Sequence, residues 1–170
     1  MERQQPHEDE VDRITAAWRR VRPDLDVSPL AVLSRVSRLN RHLDIARRGA
    51  FARYTLEPWE FDVLAALRRS GEPYALSPGA LLTQTMVTSG TMTNRIDRLE
   101  TRLFVERLPS PGDRRGVLVR LTPSGLTTVD AAFSDLLDVE HQVLAVLDPA
   151  DQPEIADLLR RLVAQFDELT

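Results

Sequence analysis

The residues best equipped for chemistry in this chain are arginines, and Arg95 is the most unusual of them. In S-G-T-M-T-N-R-I-D-R-L-E, Ser89 to Glu100, the residues Met92, Ile96 and Leu99 recur at helical spacing. They form a stripe that must face a core, and Arg95 stands on its flank. A guanidinium turned inward needs a carboxylate or an anionic ligand, because burying an unpaired charge is costly. Asp62, which interrupts the apolar run W-E-F-D-V-L, is the natural candidate. Trp18 offers a flat ring face, and a guanidinium fork suits a planar anion rich in carbonyl oxygens. Each residue also has a plainer reading: Trp18 as helix core, Asp62 as a surface acid, Arg95 as a snorkelling stem.

The opposite face of the same helix has a different chemistry. Gly90, Asn94 and Thr101 lie opposite the apolar stripe, Thr93 and Arg98 flank them, and Asp97 also points outward. Small and amide side chains near a helix N-terminus, Ser89 included, suit approach to a DNA groove. There Asn pairs with adenine, and Ser or Thr reaches phosphate. Further on, P-S-P-G-D-R-R-G sets Arg114 and Arg115 at a turn, where they can enter a minor groove and neutralise phosphates while Asp113 holds one of them. From Ser89 to Arg120 there are seven arginines against four acids, so this segment is basic although the whole chain carries a net charge of −4.

Catalytic chemistry has little to work with. Cysteine is absent, which removes disulfides, thiol nucleophiles, thiol-based peroxide sensing and nearly all structural zinc patterns. His7, His42 and His141 are too widely spaced to suggest a metal site or a triad. No phosphate loop is present, so neither an enzyme nor a cofactor or metal is expected. The apolar runs are too short for a membrane span and the first ten residues too acidic for a targeting signal, which makes a soluble cytoplasmic protein the default.

The elements that must position these residues follow from periodicity. A first amphipathic helix runs from Glu8 to Val21, with Val11, Ile14, Trp18 and Val21 on one face. Ser28-Pro29 supplies an N-cap and first-turn proline for a second, which carries Leu30, Leu33, Val36, Leu39 and Leu43 toward Arg48. E-P-W-E-F-D-V-L-A-A-L-R-R-S-G is a third helix ended by Gly71, and Ser77-Pro78 opens a fourth that stops near Leu82 or Thr83. The fourth and the Ser89 helix together make a helix-turn-helix. After Leu103 the period shifts toward two: F-V-E-R-L and V-L-V-R-L are strands of a hairpin, with P-S-P-G-D-R-R-G as its charged loop. T-P-S-G-L starts a long helix to about Leu147, and a last one carries Ile155, Leu158, Leu159, Leu162 and Phe166. The expected fold is mainly α with a small β-hairpin wing. The first, second and last helices bring apolar stripes that must be buried, most economically in a dimer.

N-R-I-D-R-L-E, then V-E-R, then G-D-R-R-G-V-L-V-R-L-T-P-S-G resemble the MarR family of winged helix-turn-helix transcriptional regulators over nearly the whole chain. The resemblance implies one domain over 1–170. Residues of about 8–48 and 122–170 would form the helical dimerisation region with its extra N-terminal helix, and about 55–121 the DNA-binding lobe. It implies a homodimer on a pseudo-palindromic double-stranded operator, with Arg115 as the wing contact, Asp113 as its support and Arg114 as a phosphate neighbour. Arg102 stands where the family usually has glycine after the recognition helix.

W-R-R-V-R-P-D-L-D-V-S-P and L-E-P-W-E-F-D-V-L-A-A-L-R-R-S-G-E-P-Y further resemble the PecS-type, urate-responsive branch. That resemblance implies a ligand site of Trp18, Asp62, Arg95 and Arg107, with urate or a related purine as effector. The expected function is a repressor that releases its operator when this small planar anion displaces Asp62 from the arginines and shifts the recognition helix. Two other readings remain open: a phenolic or other aromatic acid as effector, and a helical adaptor whose arginine patch binds an acidic protein.

Overall fold

The computed structural model describes residues 8–85, 87–111 and 113–167, with the backbone alone at 113–115 and 167. The chain divides into two compact units at Ala46/Arg47. The first holds α1 (Glu10–Val21) and most of α2 (Leu30–Ala52). Asp9 caps α1, its side chain accepting from the Asp12 N–H while Asp12 accepts from the Asp9 N–H, 3.0 Å each. Arg35 of α2 reaches back to Asp9 at 2.8 Å and Asp12 at 2.8 Å, and Arg38 pairs with Glu10. The Arg35 hydrogen bond is the main reason the Asp9 carboxyl is pushed down to about 2. Ser28 does not cap α2. Asp26 takes both the Ser28 N–H and its hydroxyl, at 2.9 and 3.0 Å, and regular helix begins only at Leu30.

The second unit contains the helix-turn-helix. α3 (Pro58–Arg69) starts with proline in its first turn, and the Glu57 N–H donates to Glu60 at 2.9 Å. α4 (Pro78–Thr85) is capped by Ser77, whose Oγ accepts from the Ala80 N–H at 3.2 Å, and α5 (Ser89–Thr101) follows. Phe51, Leu64, Leu67, Leu81, Met92, Ile96 and Leu99 are fully buried in one core, so the apolar stripe of α5 lies where its spacing puts it. Phe51 and Phe61 stack with ring centroids 4.3 Å apart.

The sheet has one strand more than the hairpin expected. β1 (Ala75–Leu76) pairs antiparallel with β3 (Asp113–Leu121), which in turn pairs with β2 (Val105–Ser110), giving the order β1-β3-β2. The strands also extend into P-S-P-G-D-R-R-G, because pairing continues to Ser110↔Asp113 across an irregularity at Pro109/Ser110. Val119 and Leu121 are buried while Val117, on the same face, is 40% exposed, so the hairpin runs past the edge of the core before it turns.

α6 (Pro123–Leu144) is set by T-P-S-G. Thr122 Oγ1 accepts from the Gly125 N–H at 3.0 Å and donates to Leu103 O at 2.7 Å. A Cβ on Gly125 would lie 2.0 Å from Phe104 O, so only glycine lets this helix start against the entry to β2. α7 (Asp151–Asp167) closes the chain. No described helix is long and apolar enough to cross a membrane.

Candidate DNA-binding and effector site

α5 has two faces that differ as sharply as its sequence suggests. Ser89, Gly90, Thr93 and Asn94 are exposed on the outer side, with Asp97 and Thr101 further along. Thr93 Oγ1 donates only within the helix, to Ser89 O at 3.2 Å. A Cβ on Gly90 would meet nothing within 4 Å, so packing in this chain does not require glycine there. Asp113, Arg114 and Arg115 open β3, but their side chains lie outside the described residues.

On the inner side, Arg95 is half-buried and is answered by a ring, not by the carboxylate expected. Its Cζ lies 5.3 Å from the Trp59 ring centroid, and Arg98 Cζ lies 4.8 Å from the same centroid. Asp62 points its carboxylate to Arg47 at 3.4 Å, so the Asp62 to Arg95 pair inferred from the sequence does not form. The indole of Trp59, in the first turn of α3, already covers the guanidinium and attracts it through its negative ring face. The signal was present in the sequence as the tryptophan of W-E-F-D, but only the packing of α5 on α3 shows which of Trp59 and Asp62 the arginine meets.

Arg107 ties two elements together. From β2 it reaches α5, bonding Asp97 at 2.5 Å and also Glu100. The Asp97 hydrogen bond is the main cause raising the Arg107 guanidinium above its ordinary range. The recognition helix is therefore tied to the wing strand through one arginine. Trp18 belongs to the first unit, on the face of α1 that also carries Ile14 and Val21, and its indole is half-exposed. The structure thus gathers Arg95 and Arg98 on Trp59, sets Arg107 on α5, and pairs Asp62 elsewhere.

Arg102 answers a different question from the one its position raised. It is a right-handed residue, φ −83°, and the left-handed conformation falls on the next one, Leu103, φ 60°. Arg102 instead bonds Glu60 at 2.6 Å, Thr55 O at 3.1 Å and Thr55 Oγ1 at 2.8 Å. The Glu60 side chain is only 1% exposed, so this guanidinium compensates a buried carboxylate at the start of α3. Sequence alone gave no hint of this pairing, because Glu60 sits in an ordinary first-turn position.

Two short helices with a polar outer face, followed by a β-hairpin and a capped helix, define a winged helix-turn-helix DNA-binding protein. The MarR family model matches residues 54–116, from just before α3 into β3. The chain is 37% identical to the transcriptional regulator PecS of Dickeya dadantii, over 90% of this chain and 92% of that one. Among solved structures it resembles a mutant of Escherichia coli MarR in complex with operator DNA, with TM-score 0.68 and 25% identity, covering 82% of this chain and 99% of that one. It also resembles BpsR of Bordetella bronchiseptica, whose structure is described as explaining regulation of DNA binding by 6-hydroxynicotinic acid. That match has TM-score 0.65 and 28% identity, covering 77% of this chain and 91% of that one. The chain belongs to the MarR family, a family of DNA-binding transcriptional regulators and not of enzymes.

Proposed function

We propose that this regulator binds a pseudo-palindromic operator as a homodimer and releases it, as a repressor would, when urate or a related oxidised purine binds. The observation that carries the reading is Arg95: a half-buried guanidinium without a carboxylate partner among the described residues, on the back of the helix whose front faces DNA. A planar anion is the natural complement of such a group. Arg107 supplies the switch. An anion that draws it away competes with Asp97 and Glu100, the two carboxylates that tie α5 to β2, and so loosens the recognition helix. This replaces displacement of Asp62, which pairs with Arg47 and would instead serve as an acceptor for ring N–H groups. Trp18 is the proposed stacking face, supported by its half-exposed indole and by the similarity to PecS.

The winged lobe of about 55–121 carries the DNA contacts, with Ser89, Gly90, Thr93, Asn94 and Arg98 at the helix and Arg114 and Arg115 at the wing, Asp113 in support. Dimerisation falls to about 8–48 and 122–170. Exposed apolar side chains on α6 and α7, among them Phe133, Leu137, Leu158, Leu159 and Leu162, support that assignment. The match to the E. coli MarR complex with operator DNA supports the DNA reading.

A second reading, a hydroxylated aromatic acid as effector, is favoured by the likeness to BpsR. Urate titrated into the full chain, followed by tryptophan quenching corrected for urate absorbance, tests the proposal. Saturable binding in the parent that is lost in Arg95→Ala supports it, and release of the operator by urate completes it. Absence of saturable urate binding overturns it, and saturable binding of 6-hydroxynicotinate in its place would establish the second reading.

A further inference from the structure

Two cations of the recognition helix converge on a single ring. Arg95 Cζ lies 5.3 Å and Arg98 Cζ 4.8 Å from the centroid of Trp59, and neither makes an ion pair or hydrogen bond among the described residues. Four other arginines of this lobe are matched with acids: Arg68 with Asp130, Arg102 with Glu60, Arg107 with Asp97 and Glu100, Arg120 with Glu106. Among the described residues, Arg95 and Arg98 are the two arginines that share one ring, and that partner is uncharged. Trp59 itself is half-buried and packed on the core, so it is a fixed platform and not a mobile one.

Two like charges on one indole repel each other, and each weakens the hold of the ring on the other. We propose that Trp59 is the positioning residue through which effector and DNA compete. With both guanidiniums present, the ring holds Arg98 loosely and leaves it available to an operator phosphate. When an anion draws Arg95 away, the ring has one cation left, binds it more tightly, and withdraws Arg98 from the phosphate. The coupling is negative in sign, which is the sense required for release. By linkage, operator DNA must weaken effector binding by the same factor. Both halves rest on the proposed function, the DNA half on Arg98 as an operator contact and the effector half on the reading of Arg95.

A double-mutant cycle on operator affinity, Trp59→Leu against Arg98→Gln, measured without effector, tests the platform. A coupled pair changes affinity in the double variant by about two- to fivefold less or more than the product of the single changes, the size of one partly exposed cation–ring contact. Effects that simply multiply overturn the proposal. Trp59→Phe guards against misfolding of Trp59→Leu. It keeps a smaller ring on the same core, and it is expected to restore part of the coupling while matching the parent in thermal midpoint. Loss of coupling in Trp59→Phe as complete as in Trp59→Leu also overturns it.

Urate then tests the effector half. It is expected to weaken operator binding in the parent and to do so at least threefold less in Trp59→Leu, the two being compared at equal occupancy by urate. If urate weakens operator binding equally in both, Trp59 is not the link. If the cycle is coupled but urate leaves the operator affinity of the parent unchanged, the effector reading fails and Trp59 stands as a positioning residue for DNA alone.

Discussion

Removing the Arg102 guanidinium tests what holds the end of α5 to the start of α3. In Arg102→Ala, Glu60 loses a 2.6 Å partner while its side chain stays 1% exposed, and only the Glu57 N–H at 2.9 Å remains to it. Two further bonds to Thr55, at 3.1 and 2.8 Å, disappear with it. Breaking a buried pair from one side costs about 3–5 kcal/mol. Arg102 is itself 30% exposed, so solvent reaches one end of the pair and the expected cost falls to roughly 2–3 kcal/mol. For a chain of this length that is a fall in thermal midpoint of roughly 4–12 °C.

The assay is urea unfolding at fixed protomer concentration, because the proposed dimer would make the midpoint concentration-dependent. A lower midpoint with an unchanged slope is expected. Glu60→Gln in the same chain should recover part of the loss, since the buried group is then neutral. A variant within about 0.5 kcal/mol of the parent would refute the reasoning, as would additive losses in the double variant.

Gly125→Ala places a methyl 2.0 Å from a backbone oxygen that cannot swing aside; a loss of about 3 kcal/mol or more is expected in the same unfolding assay. Leu103→Gly goes the other way. This residue is left-handed and 72% exposed, so glycine relieves strain at little loss of burial, and a gain of about 0.5–1 kcal/mol should appear as a higher urea midpoint. The Asp9 carboxyl is held down at about 2 chiefly by Arg35, so its contribution is complete above the ordinary aspartate value near ~3.9 and is lost as pH falls from there toward about 2. An NMR titration should show that Arg35→Ala returns Asp9 toward the ordinary range.

The elements that repeat over several turns were legible in the sequence because burial imposes a period on them. Met92, Ile96 and Leu99 show this most cleanly, being spaced for one face and all buried on it. Caps were legible where one polar group had one use, as at Ser77, and misread at Ser28, where Asp26 competes for the same hydroxyl and N–H. β1 escaped because two residues, Ala75 and Leu76, have no period to detect. The hairpin loop was drawn too long because Pro and Gly signal a turn but do not say how far the ladder follows them.

The pairing of the candidate residues was not legible in the sequence. That Arg95 needs an answer follows from its position, but Trp59 and Asp62 are three residues apart on one helix. Only the approach of α5 to α3 decides between them. Arg102 shows the same limit from the other side: its neighbour Leu103 takes the left-handed turn, and its real partners lie more than forty residues earlier in the chain.

The division of labour on α5 has a consequence for how such a protein changes over generations. Its inner residues are bound into the fold through Trp59, Glu60 and the wing strand, whereas the exposed Ser89, Thr93 and Asn94 make no side-chain hydrogen bond beyond their own helix among the described residues and a Cβ on Gly90 would meet nothing within 4 Å. If that outer strip reads DNA as proposed, substitutions on it alter which base pairs are preferred without passing through an unstable intermediate. After a gene duplication, one copy is then free to drift to a new binding sequence while retaining its architecture. The outer strip behaves as an exchangeable cassette on a fixed chassis.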